Sequence, residues 1–219
     1  MIGFVQHARV DKQEQLEAVY REHHEARRPA TFVFGGEERA AIFRDWVGGP
    51  GRRVLDLGCR YGALTKAYAA GNDVVGMDVD SVALAEAASL GIRTLHGDVT
   101  EPLPVEDESF DVVVCGELLE HLPFPGRTVA EALRVLKPGG FFVGSVPNAY
   151  RVRNRLVFML GRPPETDPTH LHMFSPDAVR LLLAEFEGPE LRYVSGRFVP
   201  LSARLFANVL VFRARKPQR

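Results

Sequence analysis

From residue 53 onward, short and nearly unbroken apolar runs alternate with amphipathic stretches. Residues 54–57, 74–78, 92–96, 110–115 and 141–146 read as buried strands. Residues 62–70, 81–90 and 128–137 read as helices between them, with Ser81 as an N-cap, Gly91 closing one helix and Pro138-Gly139-Gly140 stopping another. Alternation of this kind, with strands apolar on both faces, predicts a mostly parallel sheet covered by helices on both sides. The first fifty residues are helical in pattern. Leu16, Val19, Tyr20 and His23 share one face of a helix over residues 11–25, and Ile42, Phe43, Trp46 and Val47 face inward on a second that follows Gly36. Residues 147–174 break the rhythm with a helix over 150–160 and the loop Gly161-Arg162-Pro163-Pro164. Ser175-Pro176 then opens a helix with Val179, Leu182, Leu183 and Phe186 on its core face. Two last strands, 191–195 and 208–213, predict an antiparallel hairpin at the sheet edge.

Composition narrows the class. The chain has 219 residues, 46% of them hydrophobic, and a net charge of −1. That suits one globular domain and supplies no field to steer nucleic acid or an anionic membrane. The expectation is a protein that binds neither. No apolar run approaches the roughly 20 residues of a membrane span, and residues 1–7 do not read as a signal sequence. Cys59 and Cys115 each close a predicted strand; a disulfide between them is conceivable, but nothing in the chain suggests an oxidising compartment, and a cytoplasmic protein is expected.

The chemistry gathers at the carboxyl ends of the strands, where ligands bind in open parallel sheets. Asp56 and Gly58 end the first, Asp78 the second, and Asp98 follows the third. Glu117 follows the fourth and Asn148 the fifth. A single acid there commonly caps a helix, but four at successive ends need donors to offset their burial, and a nucleoside carrying an ammonium group brings donors. Strand, glycine turn, helix, strand, acid is the arrangement that holds a nucleoside, with Asp78 on the ribose hydroxyls. The spacing Gly58-x-x-x-Gly62 does not match the Gly-x-Gly-x-x-Gly fingerprint of nicotinamide dehydrogenases.

The run from Val54 to Thr65, Gly76-Met77-Asp78, His96-Gly97-Asp98-Val99, the stretch Phe110 to Leu122 and Leu136-Lys137-Pro138-Gly139-Gly140 together resemble class I S-adenosylmethionine-dependent methyltransferases. They are most similar to the small-molecule branch that includes quinone-biosynthesis methyltransferases, over residues 35 to 195. The resemblance implies a Rossmann-like, doubly wound, seven-stranded mostly parallel α/β sheet with an antiparallel edge hairpin. It implies a single domain: a helical N-terminal lid (1–34), a cofactor-binding core (35–146), a substrate-facing insertion (147–174), and a C-terminal helix with edge strands (175–219). The cofactor would be S-adenosylmethionine, held by Asp56, Gly58, Cys59, Gly62, Asp78, Val79, Asp98, Val99, Gly116 and Glu117. Asp98 and Val99 would take adenine, and Gly116 and Glu117 would line the methyl region. Arg60 stands where the family usually has a further glycine. An arginine serves there if its φ is negative and its side chain leaves the pocket.

The implied reaction is in-line transfer of a methyl group to a small-molecule acceptor, at a hydroxyl or other oxygen. N-methylation of a small amine and a catalytically silent binding domain are the alternatives. A hydroxyl acceptor benefits from a base, and His121, His170 and His172 are the candidates. Histidines at i and i+2 could ligate a metal, but no cysteine or third histidine stands nearby in the chain, and no metal is expected. His23 and His24 read as solvated. Arg151, Arg153, Arg155 and Arg162 are candidates for an anionic acceptor or a solvated face, and Tyr20, Phe34 and Tyr150 for aromatic walls or core packing. A monomer or a homodimer fits equally.

Overall fold

The computed structural model describes residue 33, residues 35–164, 167 and 169–218. The expected N-terminal helix, with Tyr20, His23 and His24, lies outside the described residues, as does Phe34. The elements in order are α1 (Gly36–Val47), β1 (Arg53–Leu57), α2 (Lys66–Ala69), β2 (Asp73–Asp78), α3 (Ser81–Ser89), β3 (Arg93–His96), β4 (Phe110–Gly116), a 3₁₀ turn (Leu119–His121), α4 (Pro125–Val135), β5 (Leu136–Pro147), α5 (Val152–Met159), α6 (Pro176–Leu182), β6 (Glu187–Val194), α7 (Ala203–Phe206) and β7 (Val209–Arg215).

The seven strands form one sheet in the order β3-β2-β1-β4-β5-β7-β6. β1 through β5 pair in parallel, and β7 pairs antiparallel with both β5 and β6. The strand order reverses between β1 and β4, the switch point where such sheets bind ligands. Because side chains alternate along a strand, each central strand feeds two cores. Leu55, Leu57, Val113, Cys115, Phe142, Leu210 and Phe212 join the core under α4 and α6. Val54, Val112, Val114, Val143, Val209 and Val211 join the core holding Phe43 and Trp46 of α1 and Tyr68 of α2. Phe142 lies 5.6 Å from Phe186 and 5.4 Å from Phe212 between ring centroids, so the edge hairpin and the segment after α6 share one aromatic cluster.

Several boundaries differ from those the pattern predicts, for local reasons. The helix expected over 62–70 is shortened to Lys66–Ala69, because Gly62 takes φ +72° and the preceding residues form turns. Asp80, not Ser81, caps α3: its Oδ1 accepts from the N–H groups of Val82 and Ala83 at 3.0 and 3.1 Å. Of two adjacent capping residues, the carboxylate takes the position facing the helix dipole. α4 starts at Pro125 and ends at Val135, and β5 begins at once with Leu136. Gly139, at φ +78°, sits inside β5 rather than stopping a helix. The helix expected over 150–160 spans Val152–Met159, and the strand expected over 191–195 spans Glu187–Val194.

Candidate active site

The turn after β1 folds back over the end of β2. Gly58, at φ +74°, and Cys59 both donate their N–H to the Met77 carbonyl, at 2.8 and 3.2 Å. Arg60 then takes φ +49° and donates its N–H to Asp78 Oδ2 at 2.9 Å. The condition of a negative φ for an arginine here is thus not met. Accepting a left-handed arginine costs about 1–2 kcal/mol, and in return its amide reaches the acid of the neighbouring strand. The Arg60 guanidinium lies 5.3 Å from the centroid of the Tyr61 ring.

Asp78 is 8% exposed, and its other oxygen, Oδ1, accepts from Asp80 N at 2.9 Å. Burial pushes its carboxyl above the usual range, against the lowering effect of those two amides and the nearby Arg60 charge. Each oxygen has one backbone donor and a further lone pair. Val79 offers its carbonyl to His96 Nε2 at 2.8 Å. Beyond β3, Asp98 Oδ1 accepts from both the N–H and the hydroxyl of Thr100, at 2.8 and 2.7 Å, while Val99 is buried and its carbonyl receives the Thr128 hydroxyl at 3.1 Å.

Three predicted ligand residues are engaged, wholly or in part, by the protein itself. Asp56 is buried, and its Oδ2 accepts the hydroxyls of Thr65 at 2.6 Å and Tyr68 at 2.7 Å, so this oxygen ties β1 to α2. Desolvation raises its pKa to about 6 despite those bonds. The Cys59 thiol packs on β2, where a Cβ at Gly76 would come within 2.6 Å of its sulfur, and burial pushes the thiol well up. Gly62 is required by packing, since a Cβ there would meet Ile92 Cδ1 at 2.6 Å. For Cys59 and Gly62, only the backbone is left to address a ligand.

On the other side of the switch point, Gly116 is pressed close to Leu64, and Glu117 follows at φ +56° with its N–H on the Ser145 carbonyl at 2.9 Å. Arg39 of α1, 4% exposed, pairs with Glu117 Oε1 at 3.4 Å and donates to Ser145 Oγ at 3.2 Å. Glu120, in the 3₁₀ turn, is fully buried, and neither carboxylate oxygen has a hydrogen-bond partner among the described residues. Burial and the neighbouring Glu117 charge drive its pKa well up.

The backbone carbonyl of Glu120 receives the N–H groups of Leu171 and His172 at 2.8 and 3.1 Å, which draws the insertion onto this turn. His121 and His170 meet edge-on, with ring centroids 4.7 Å apart. The ligand atoms of Glu120, His121 and His170 all lie within 4.8 Å of one another. His172 goes elsewhere: its Nε2 bonds to the Leu122 carbonyl at 2.9 Å, and its ring lies 5.8 Å from that of Phe174. The three predicted bases are thus two neighbours and one packing residue.

A hollow of about 350 Å³ between α4 and α6, lined by Val129, Leu133, Leu182 and Phe186 among others, lies on a flank of the sheet, away from these strand ends. Both cysteines are free and buried. In the insertion, Arg151 bonds to Asn208 and Asn154, and Arg155 Nε to the Tyr150 carbonyl at 2.7 Å.

Known proteins resemble this chain in sequence and in fold. The family profile described as "Methyltransferase domain" matches residues 55–144. A Hahella chejuensis protein named "Ubiquinone biosynthesis O-methyltransferase" is 40% identical over 116 residues, covering 47% of this chain and 43% of that one. A Mycolicibacterium smegmatis protein named "Probable S-adenosylmethionine-dependent methyltransferase" is 37% identical over 152 residues, covering 68% of this chain and 56% of its own. Residues 55–144 thus carry a methyltransferase domain, and the chain is similar there to S-adenosylmethionine-dependent methyltransferases.

The chain spans about half the length of the curated relatives it matches. The fold agrees as well: the crystal structure of a SAM-dependent methyltransferase from Archaeoglobus fulgidus superposes with a TM-score of 0.67 at 18% identity, over 82% of this chain and 92% of that one. No helix among the described residues is long and apolar enough to cross a membrane.

Two residues of this cluster escape a reading of the sequence. Arg39 sits in a helix whose charged residues suggest a solvated face, and its partner Ser145 is 106 positions away. Glu120 stands beside His121 in the chain, but its isolation and its closeness to His170 follow only from the insertion's return. The pattern Glu117-x-x-Glu120-His121 was the available signal.

Proposed function

We propose that this methyltransferase domain moves a methyl group from S-adenosylmethionine to an oxygen of a small-molecule acceptor by in-line displacement. The observation that carries the reading is Asp78, a buried carboxylate at the end of β2 with one backbone donor on each oxygen. That leaves lone pairs for the two adjacent hydroxyls of a ribose, so the residues present fit a nucleoside. When bound, the cofactor supplies an electrophilic methyl group on sulfur.

The chain's own residues do the rest. Asp98, at the end of the neighbouring strand, would accept from the adenine amino group, with Val99 beside it. The turn from Gly58 to Gly62 would pass under the nucleoside, and Gly116 with Glu117 would line the methyl region. Arg39, 3.4 Å from Glu117 Oε1, would hold that side chain in place. His121 and His170 are the groups able to take the proton of an acceptor hydroxyl; His172, bound to the Leu122 carbonyl, is released from that role. Residues 147–174 would form the acceptor wall, where loops on a rigid scaffold carry specificity. Holding the acceptor in line and excluding water can supply up to about 7–11 kcal/mol in the best intramolecular cases. Relatives named "Ubiquinone biosynthesis O-methyltransferase" support oxygen over nitrogen.

The test is incubation with methyl-labelled S-adenosylmethionine and a panel of phenols, sugars and amines, with products read by mass. Methylation of a hydroxylated acceptor is expected. Label on amines alone would overturn the choice of oxygen. One observation favours a silent binding domain: Arg60 holds a left-handed conformation at a position where the family usually has glycine. Binding of S-adenosylhomocysteine without turnover across the panel would support that reading instead.

A further inference from the structure

We infer that Glu120, His121 and His170 form a site for a first-row divalent transition ion, which ties the segment around His170 to the turn after β4. The first ground is Glu120. A fully buried carboxylate with no hydrogen-bond partner on either oxygen is costly to keep, and a cation is the partner it lacks. Arg39 is near enough for its charge to favour the carboxylate, but it makes no hydrogen bond to it, and its Nη1 is engaged with Glu117 and Ser145.

The second ground is geometry. His121 Nε2 stands 4.0 Å from Glu120 Oε1, and the three ligand atoms lie within 4.8 Å of one another. Ligand atoms around a tetrahedral ion with bonds near 2.0–2.1 Å are roughly 3.3 Å apart. Side-chain rotations of an ångström or so therefore close the site.

The third ground is the orientation of His121. Its Nδ1 is within 3.0 Å of Thr169 Oγ1 and 3.3 Å of the Thr169 carbonyl, and Thr169 Oγ1 donates in turn to Asp167 Oδ1 at 2.7 Å. An Nδ1–H donated to Thr169 leaves the Nε2 lone pair facing Glu120. Metal-bound histidines are fixed by an outer partner in this way.

The donor set selects the ion. Two imidazoles and one carboxylate suit zinc, cobalt or iron; magnesium and calcium prefer oxygen ligands throughout. Three protein ligands leave at least one position open, as in catalytic rather than structural zinc sites. Glu120 and His121 belong to the turn after β4, and His170 to the insertion, so the ion would bridge two segments about fifty residues apart. The site goes beyond the methyl-transfer reading and replaces one part of it, because imidazoles that hold an ion have no lone pair left for the proton of an acceptor hydroxyl.

The experiment is titration of metal-free full-length protein with Co²⁺, followed by its visible ligand-field absorption, and with Zn²⁺ by calorimetry. Glu120→Gln and His170→Ala are run beside it, with circular dichroism as the check on folding and S-adenosylhomocysteine binding as a separate readout. His170 is only half-buried, so its variant is expected to fold whatever happens to Glu120→Gln. One equivalent of ion is expected, with nitrogen ligation in the cobalt spectrum, a raised melting temperature, and at least a tenfold loss of affinity in both variants. Absence of binding, binding that both variants retain, or binding of Mg²⁺ with neither Zn²⁺ nor Co²⁺ would overturn the assignment. Because S-adenosylhomocysteine is measured apart, failure of the ion site and failure of the cofactor site give different results.

Discussion

On the β1–β3 side of the switch point, the buried acids are supplied with donors by the chain itself. Asp56 has Thr65 and Tyr68, Asp78 has the amides of Arg60 and Asp80, and Asp80 has the first turn of α3. Past β4, Glu120 is more deeply buried than any of these and has no such donor among the described residues. The difference separates two kinds of preparation. The first half is held in shape before anything binds, and a ligand has only to use the remaining lone pairs. The second half leaves the Glu120 carboxyl without a donor among the described residues, and the inferred ion would be its partner.

The comparison can be broken at Asp56. Its folded pKa, about 6, is raised above the unfolded value, so the stability it contributes is full below pH 4 and is lost as pH rises through 6. A shift of about two units corresponds to about 3 kcal/mol. Urea unfolding of the native chain and Asp56→Asn from pH 4.5 to 7.5 should show the gap between them changing by up to that amount, with the native chain losing ground as pH rises. Parallel curves would mean that Thr65 and Tyr68 fully offset the burial. At Glu120 the expected effect is somewhat smaller. In chelator, Glu120→Met should raise stability by about 2 kcal/mol, because an apolar group of similar length replaces an unsatisfied one. Destabilisation would reveal a donor that the comparison lacks. The smallest effect belongs to Arg60. Arg60→Gly should relieve the left-handed backbone for a gain of at most about 1 kcal/mol in melting experiments and leave S-adenosylhomocysteine affinity unchanged. A large gain in affinity would favour the silent-domain reading.

The pre-supplied half was the more legible one in the sequence. Its acids end strands, and strand ends follow from apolar runs, so Asp78 and Asp98 could be placed without coordinates. What the pattern could not separate is side chain from backbone. Asp56 and Cys59 occupy the expected turn, yet Asp56 Oδ2 and the thiol serve packing, because α2 and Gly76 offered nearer partners. The sign of φ at Arg60 was equally hidden, since it is set by the reach of its amide to Asp78 across 18 positions. The second half was largely illegible. His121 and His170 are 49 residues apart in the chain, and the bonds from Leu171 and His172 to the Glu120 carbonyl, with those between His121 and Thr169, bring them together. The expectation of no metal rested on the lack of a third donor nearby in the chain, and a donor set assembled by tertiary contact defeats that argument.

The most direct test of the central claim is calorimetric titration with S-adenosylhomocysteine of the native chain and of Asp78→Asn. The account predicts one site in the native protein, and affinity about ten- to a hundredfold weaker in the variant, the worth of a charge-assisted hydrogen bond to a ligand hydroxyl. No binding by the native chain, or equal binding by both, would contradict it.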